Sequence, residues 1–141
     1  MNKFENLKTE DDIVIGNYES QVTGNITVEF DLEEDGAVME DYSELISASE
    51  TWIGKLTKEK LDELKRNMSL ELTDSAYTGS GYKPGQQDYD GLAAELTLVS
   101  IRFFQDAFSL VFKAKKEYPD MLIWCQVDED MEMEDLMVDN P

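Results

Sequence analysis

The period of the apolar residues changes twice along this chain, and that change limits the folds open to it. Residues 25 to 32 alternate: Ile26, Val28, Phe30 and Leu32 fall on one face, and Thr27, Glu29 and Asp31 on the other. A repeat of two is the mark of a strand with one face buried. Ile13 to Ile15 supply a partner strand, with turn signals at Gly16-Asn17 and Thr23-Gly24-Asn25. From residue 39 the spacing becomes helical, through Tyr42, Leu45, Ile46, Ser49, Trp52, Ile53 and Leu56. Gly54 marks the end of this first helix. Thr57 is a good N-cap for a second, whose apolar face is Leu61, Leu64, Met68 and Leu72. A link of two or three residues predicts that the two helices pack as an antiparallel pair.

Residues 77 to 91 are rich in Gly, Pro and Tyr and contain no apolar aliphatic residue, so they read as a long polar loop. The pattern then returns to β. Strands are expected from Leu92 to Phe104, through Phe108, Leu110 and Phe112, from Met121 to Val127 and from Glu132 to Val138. Turns are expected at Glu117-Tyr118-Pro119-Asp120 and Asp128-Glu129-Asp130. The reading is one α+β domain over residues 1–141. It has an N-terminal strand pair and a C-terminal four-stranded meander in an antiparallel sheet, with two central helices on one face.

Such a chain has enough apolar material for a core, with 41% hydrophobic residues. Its charge is unusual. Twelve Lys and Arg face 32 Asp and Glu, there is no histidine, and the formal charge is −20. The acid is also sorted. Residues 9 to 54 hold thirteen carboxylates and no cation, and residues 117 to 141 hold nine and none. The basic residues gather between 55 and 66 and at Lys113, Lys115 and Lys116. Single-sign areas steer a partner of opposite sign, at the cost of self-repulsion. Solubility or a high-salt habitat would also call for acid; lysines retained on one helix argue against the second.

Catalytic signatures are missing. Cys125 lies in an apolar run and has no histidine to activate it, so it reads as a buried core residue. The run from Asp128 to Asp139 starts like a calcium loop. It has Met133 where the sharp turn needs Gly, and Asp139 where the bidentate Glu belongs. Gly79-Ser80-Gly81 lacks the strand before it and the Lys-Ser/Thr that would make it a phosphate loop. No cofactor or metal is expected, and the chain is not expected to be an enzyme. No apolar run approaches the ~20 residues of a membrane span, and the N-terminus has no apolar leader core. A cytoplasmic protein is expected, monomeric or a small homo-oligomer, with no direct contact to membrane or nucleic acid.

The stretch Leu96-Thr97-Leu98-Val99-Ser100-Ile101-Arg102-Phe103-Phe104-Gln105-Asp106, followed by Met121 to Asp130 and an acidic last strand, resembles a family of small acidic bacterial cytosolic proteins. That family looks like the immunity proteins of polymorphic-toxin and contact-dependent inhibition systems. The resemblance implies a cognate toxin domain as partner, most simply a nuclease with a basic surface, met by charge complementarity. The candidate partner-binding residues are Glu33, Glu34 and Asp35, the turn Asp128, Glu129 and Asp130, and Tyr82, Asp88 and Tyr89 of the Tyr/Gly loop. The alternative expectation is a nucleic-acid mimic of the anti-restriction kind, which needs its acids in a regular line.

Overall fold

A computed structural model of the chain describes residues 4–139. Seven strands form one sheet in sequence order: β1 (Glu5–Glu10), β2 (Ile13–Ser20), β3 (Gly24–Phe30), β4 (Thr97–Phe103), β5 (Phe108–Ala114), β6 (Tyr118–Val127) and β7 (Met133–Asp139). Every neighbouring pair is antiparallel except β3 and β4, which run parallel. Parallel neighbours need a crossover. Here it is the helical layer: a 3-10 turn at Met39–Tyr42, α1 (Ser43–Gly54), α2 (Lys58–Tyr77) and α3 (Gln86–Glu95). The α+β class and the β4–β7 meander are therefore present. The two β blocks are joined at their centre by β3 and β4, where Val28 and Ile101 pair and are fully buried.

The alternation in β3 orients the sheet as its pattern requires. Ile26, Val28, Phe30 and Leu32 are buried against the helices. So are Leu61, Leu64, Met68 and Leu72 of α2, and Thr57 caps that helix by accepting a hydrogen bond from Lys60 N at 3.1 Å. Among the described residues, the other face of the sheet carries no helix. Its paired positions include Glu29 and Arg102, Val111 and Trp124, and Trp124 and Met137.

Several expectations need correction. The N-terminal block has three strands, because β1 adds an edge strand whose one large apolar side chain is Leu7, in the irregular stretch of the pairing between Glu5 and Lys8. Leu7 packs where Gly16 leaves room; a Cβ at Gly16 would stand 2.7 Å from Leu7 Cδ2 and 2.9 Å from the Glu5 carbonyl oxygen. Gly16 thus sits inside β2 and makes no turn. There are three helices, because α3 begins within the segment that reads as a loop, and Leu92 is its buried residue rather than the start of β4. The close neighbour of α2 is α3, to which Ser69 Oγ donates at the Tyr89 carbonyl (2.5 Å). It does not form a tight hairpin with α1, which runs from Tyr42, bonded to Asp12, to Trp52, stacked on Phe108. The β5–β6 turn is Lys115–Glu117, and β6 already begins at Tyr118.

Candidate protein-binding surface

The register of the sheet brings distant acids together. Val14 pairs with Phe30, Phe30 with Phe103, Phe103 with Phe108 and Phe108 with Val127. These five residues form one row across the strands. Everything just beyond the row is a turn or an exit loop, and each carries acid: Asp11 and Asp12 between β1 and β2, Asp31 and Glu33 to Asp35 after β3, Asp106 between β4 and β5, and Asp128 to Asp130 between β6 and β7. From β3 to β6 is three strand spacings, about 14 Å. Charges in such a row overlap within a Debye length or two of about 8 Å at physiological salt.

The helical layer adds to this end. Tyr42 is fully buried and its hydroxyl donates to the Asp12 carbonyl at 2.7 Å. Burial raises the Tyr42 pKa most, and the charges of Asp31, Asp12, Asp41 and Glu34 raise it further. One phenol thus feels carboxylates from the β1–β2 turn, the β3 exit and the start of the helical layer. Cations that reach this end are already held. Arg102 lies 2.9 Å from Asp31 and 3.4 Å from Glu29, and Lys60 bridges Glu63 at 2.9 Å and Glu132 at 3.3 Å. Hydrogen bonds to Glu63, then to Glu132, raise the Lys60 pKa.

Beneath the acids is an aromatic floor. Phe103 contacts Phe30 at 5.2 Å, Trp52 at 5.8 Å, Phe4 at 5.9 Å and Phe108 at 5.9 Å between ring centres. A packed floor holds the turns in fixed positions, so the charges form a shaped surface. Above it, Val38 is 57% exposed and Met39 38%, between Asp35 and the Glu40-Asp41 pair.

Three of these acids have left-handed backbone, as do Asn6, Asp120 and Met131. Asp11 (φ 51°) and Asp12 (φ 66°) form a two-residue hairpin turn with both residues left-handed, the type I′ geometry that Asn-Gly satisfies best. Glu33 is also left-handed, at φ 59°. A non-glycine residue in that region costs about 1 kcal/mol. Asp is tolerated in such a turn, and Glu33 is the acid for which glycine would suit the backbone better.

The nine residues picked from sequence divide into two groups. Glu33, Glu34 and Asp35 are exposed and share the acidic end with Glu129 and Asp130. Asp128 shapes that turn, accepting hydrogen bonds from Asp130 N (2.9 Å) and Glu132 N (3.0 Å) at Oδ1. Tyr82 lies on the α2–α3 connection and Asp88 and Tyr89 in the first turn of α3, and their side chains are engaged within the chain. Asp88 Oδ2 accepts from Gly85 N and from the Tyr82 hydroxyl, both at 2.8 Å, and so caps α3. The Tyr89 hydroxyl donates to Asp74 at 2.6 Å. These bonds to carboxylates are the largest cause of the raised pKa of both phenols. Asp11, Asp12, Asp31, Asp41 and Glu44 join the surface through the sheet register and the helix start, which no short motif announces. The one signal in the sequence was the cation-free run from 9 to 54.

Cys125 is fully buried, and its thiol is pushed up to about 12, by burial first and by the charge of Glu71 second, which disfavours the thiolate. Among the described residues, no group of three or more His, Cys, Asp or Glu is arranged to hold a metal ion, and no helix is long and apolar enough to cross a membrane. Comparison with protein families, curated proteins and solved structures finds no match to this chain.

Proposed function

We propose that the chain is an immunity protein that binds and neutralises a cognate bacterial toxin domain in the cytosol, and that it does so with the acidic end of its sheet. The partner is a basic domain, a nuclease in the simplest case, whose phosphate-binding surface the carboxylates occlude. The observation that carries this reading is the convergence of four acidic connections on one end of the sheet. Solubility needs acid spread over a surface. It gives no reason to gather the acids at one end. Exposed Val38 and Met39 within the acidic rim have the arrangement of an apolar centre in a charged border, which suits a protein partner.

The test is co-expression with the open reading frame beside this gene. Rescue of growth, and a complex that weakens as salt rises, is the expected result. No rescue and no complex would remove the reading. The nucleic-acid-mimic alternative draws on the same geometry, since the acidic turns follow one line along the sheet end. It requires the purified chain to bind several unrelated DNA-binding proteins, and tight binding to a single partner rejects it.

A further inference from the structure

Away from the turns, we infer that the outer edge of β7 receives an extended strand of a basic partner, one that carries cations on either side of an apolar residue. The sheet has two edges, β1 and β7, and they differ. β1 is blunted. Its register breaks between Glu5 and Lys8, Asn6 is left-handed at φ 57°, and every residue but Leu7 is exposed. A bulge and an exposed lysine are devices that keep an edge from pairing further. The last five residues of β7 have neither. Asp135 to Asp139 pair one to one with Gln126 to Leu122, with no left-handed residue and no cation among them. Among the described residues β7 pairs with β6 alone, so the backbone groups on its far side are open to a further strand. The Leu136 N–H donates to Asp135 Oδ1 at 2.9 Å, a bond that a strand carbonyl can replace.

The side chains set what kind of strand fits. On the helix-free face Val111, Trp124 and Met137 form one apolar row across β5, β6 and β7. Val111 is 2% exposed, Trp124 is half-buried and Met137 is 52% exposed, so the row opens towards the edge and stops there. An apolar residue on an added strand would continue it. Asp135 and Asp139 flank Met137 on the same face, two residues to either side. The complement is a strand with Lys or Arg two residues before and after its apolar residue. Residues 117 to 141 hold nine carboxylates and no cation, so charge favours a basic segment over a second copy of this acidic chain.

The probe is a hairpin peptide closed by Asn-Gly, whose outer strand reads Lys-Thr-Val-Thr-Lys, titrated at low salt into the isotope-labelled full chain. A counterpart with both lysines changed to glutamate is run beside it. The expected NMR result is amide shifts at Leu136, Met137 and Val138, a shift of the Trp124 indole, slower hydrogen exchange at Leu136, and no binding of the glutamate hairpin. Met137→Lys alters an exposed side chain and should leave the spectrum native while weakening the lysine hairpin about tenfold. Shifts confined to Glu33 to Asp35, Glu129 and Asp130 would overturn the edge site and leave the proposed function standing. Unchanged affinity in the Met137→Lys variant, or no binding even at millimolar peptide, would overturn it as well. A free chain that sediments as a dimer, and as a monomer after Met137→Lys, would assign the edge to a second copy and overturn the basic strand.

Discussion

The two ends of the sheet are built from the same strands and differ in every other respect. At one end the turns are acidic from β2 to β6, the nearby cations Lys60 and Arg102 are bridged by carboxylates, and an aromatic cluster lies underneath. At the other end charge is mixed. Lys113, Lys115 and Lys116 stand beside Glu95 and Glu117, and the turn is fixed by Glu95 Oε1, which accepts from Lys116 N and, at 3.2 Å, from Glu117 N. There a carboxylate serves the fold. At the acidic end Asp128 shapes its turn, but the exposed side chains of Glu33, Glu34, Asp35, Glu129 and Asp130 have no hydrogen-bond or ion-pair partner among the described residues. The difference teaches that total charge is a weak guide here, and that the use each carboxylate has within its own chain is a better one.

The largest expected effect concerns the aromatic floor. Phe103→Ala removes the ring shared by four aromatic contacts and should cost about 3–5 kcal/mol in urea unfolding. Lys115→Ala, on the exposed turn of the other end, should change stability by less than about 0.5 kcal/mol. Similar losses for both would break the contrast. Tyr42→Phe is next, at about 1 kcal/mol for the lost hydrogen bond to Asp12. Its pH dependence has a definite sign. The folded pKa of Tyr42 is raised above its ordinary value of 10.0, so its contribution is complete below pH 10 and disappears as pH rises through the folded value. The wild type should lose stability at alkaline pH more steeply than the Phe variant; identical alkaline limbs would show that Tyr42 does not sense the acidic end.

The smallest effect is the most diagnostic. Replacing Asp11 by Asn together with Asp12 by Gly gives the hairpin its preferred turn and should stabilise the free chain by up to about 1 kcal/mol. The same change should weaken the complex with the proposed toxin partner. A variant that is both more stable and equally well bound would deprive the left-handed aspartates of a functional reason. Salt sharpens the same contrast: raising it should increase the thermal midpoint of the free chain by roughly a few degrees, by screening self-repulsion, while weakening the complex.

Local pattern exposes some of this structure and hides the rest for definite reasons. The alternation from Ile26 to Leu32, the Thr57 cap and the apolar face of α2 are short-range facts, and the structure matches them. The edge strand β1 is hard to see because Leu7 is nearly its whole apolar signal. Helix α3 is hidden because Leu92 is its one buried residue and Gly91 interrupts its pattern. Tyr82 and Asp88 look like recognition residues until the cap on Gly85 accounts for them. The convergence of Asp11, Glu33 and Glu129 depends on β3 running parallel to β4, a pairing between residues more than seventy apart. Local periodicity holds no information on such a pairing, although the cation-free stretch from 9 to 54 was already visible.

The most direct test of the acidic end is the affinity for the proposed toxin partner as a function of salt. Three chains are compared: wild type, one with Asp11→Asn, Asp12→Asn, Glu33→Gln, Glu34→Gln and Asp35→Asn, and one with Lys113, Lys115 and Lys116 changed to Ala. Neutralising the acidic end should weaken binding by about 100-fold, or about 2.7 kcal/mol, and flatten the salt dependence. Removing the three lysines should leave the dissociation constant within about twofold. Equal losses in the two variants, or an unchanged salt slope after neutralisation, would contradict the assignment of binding to this end of the sheet.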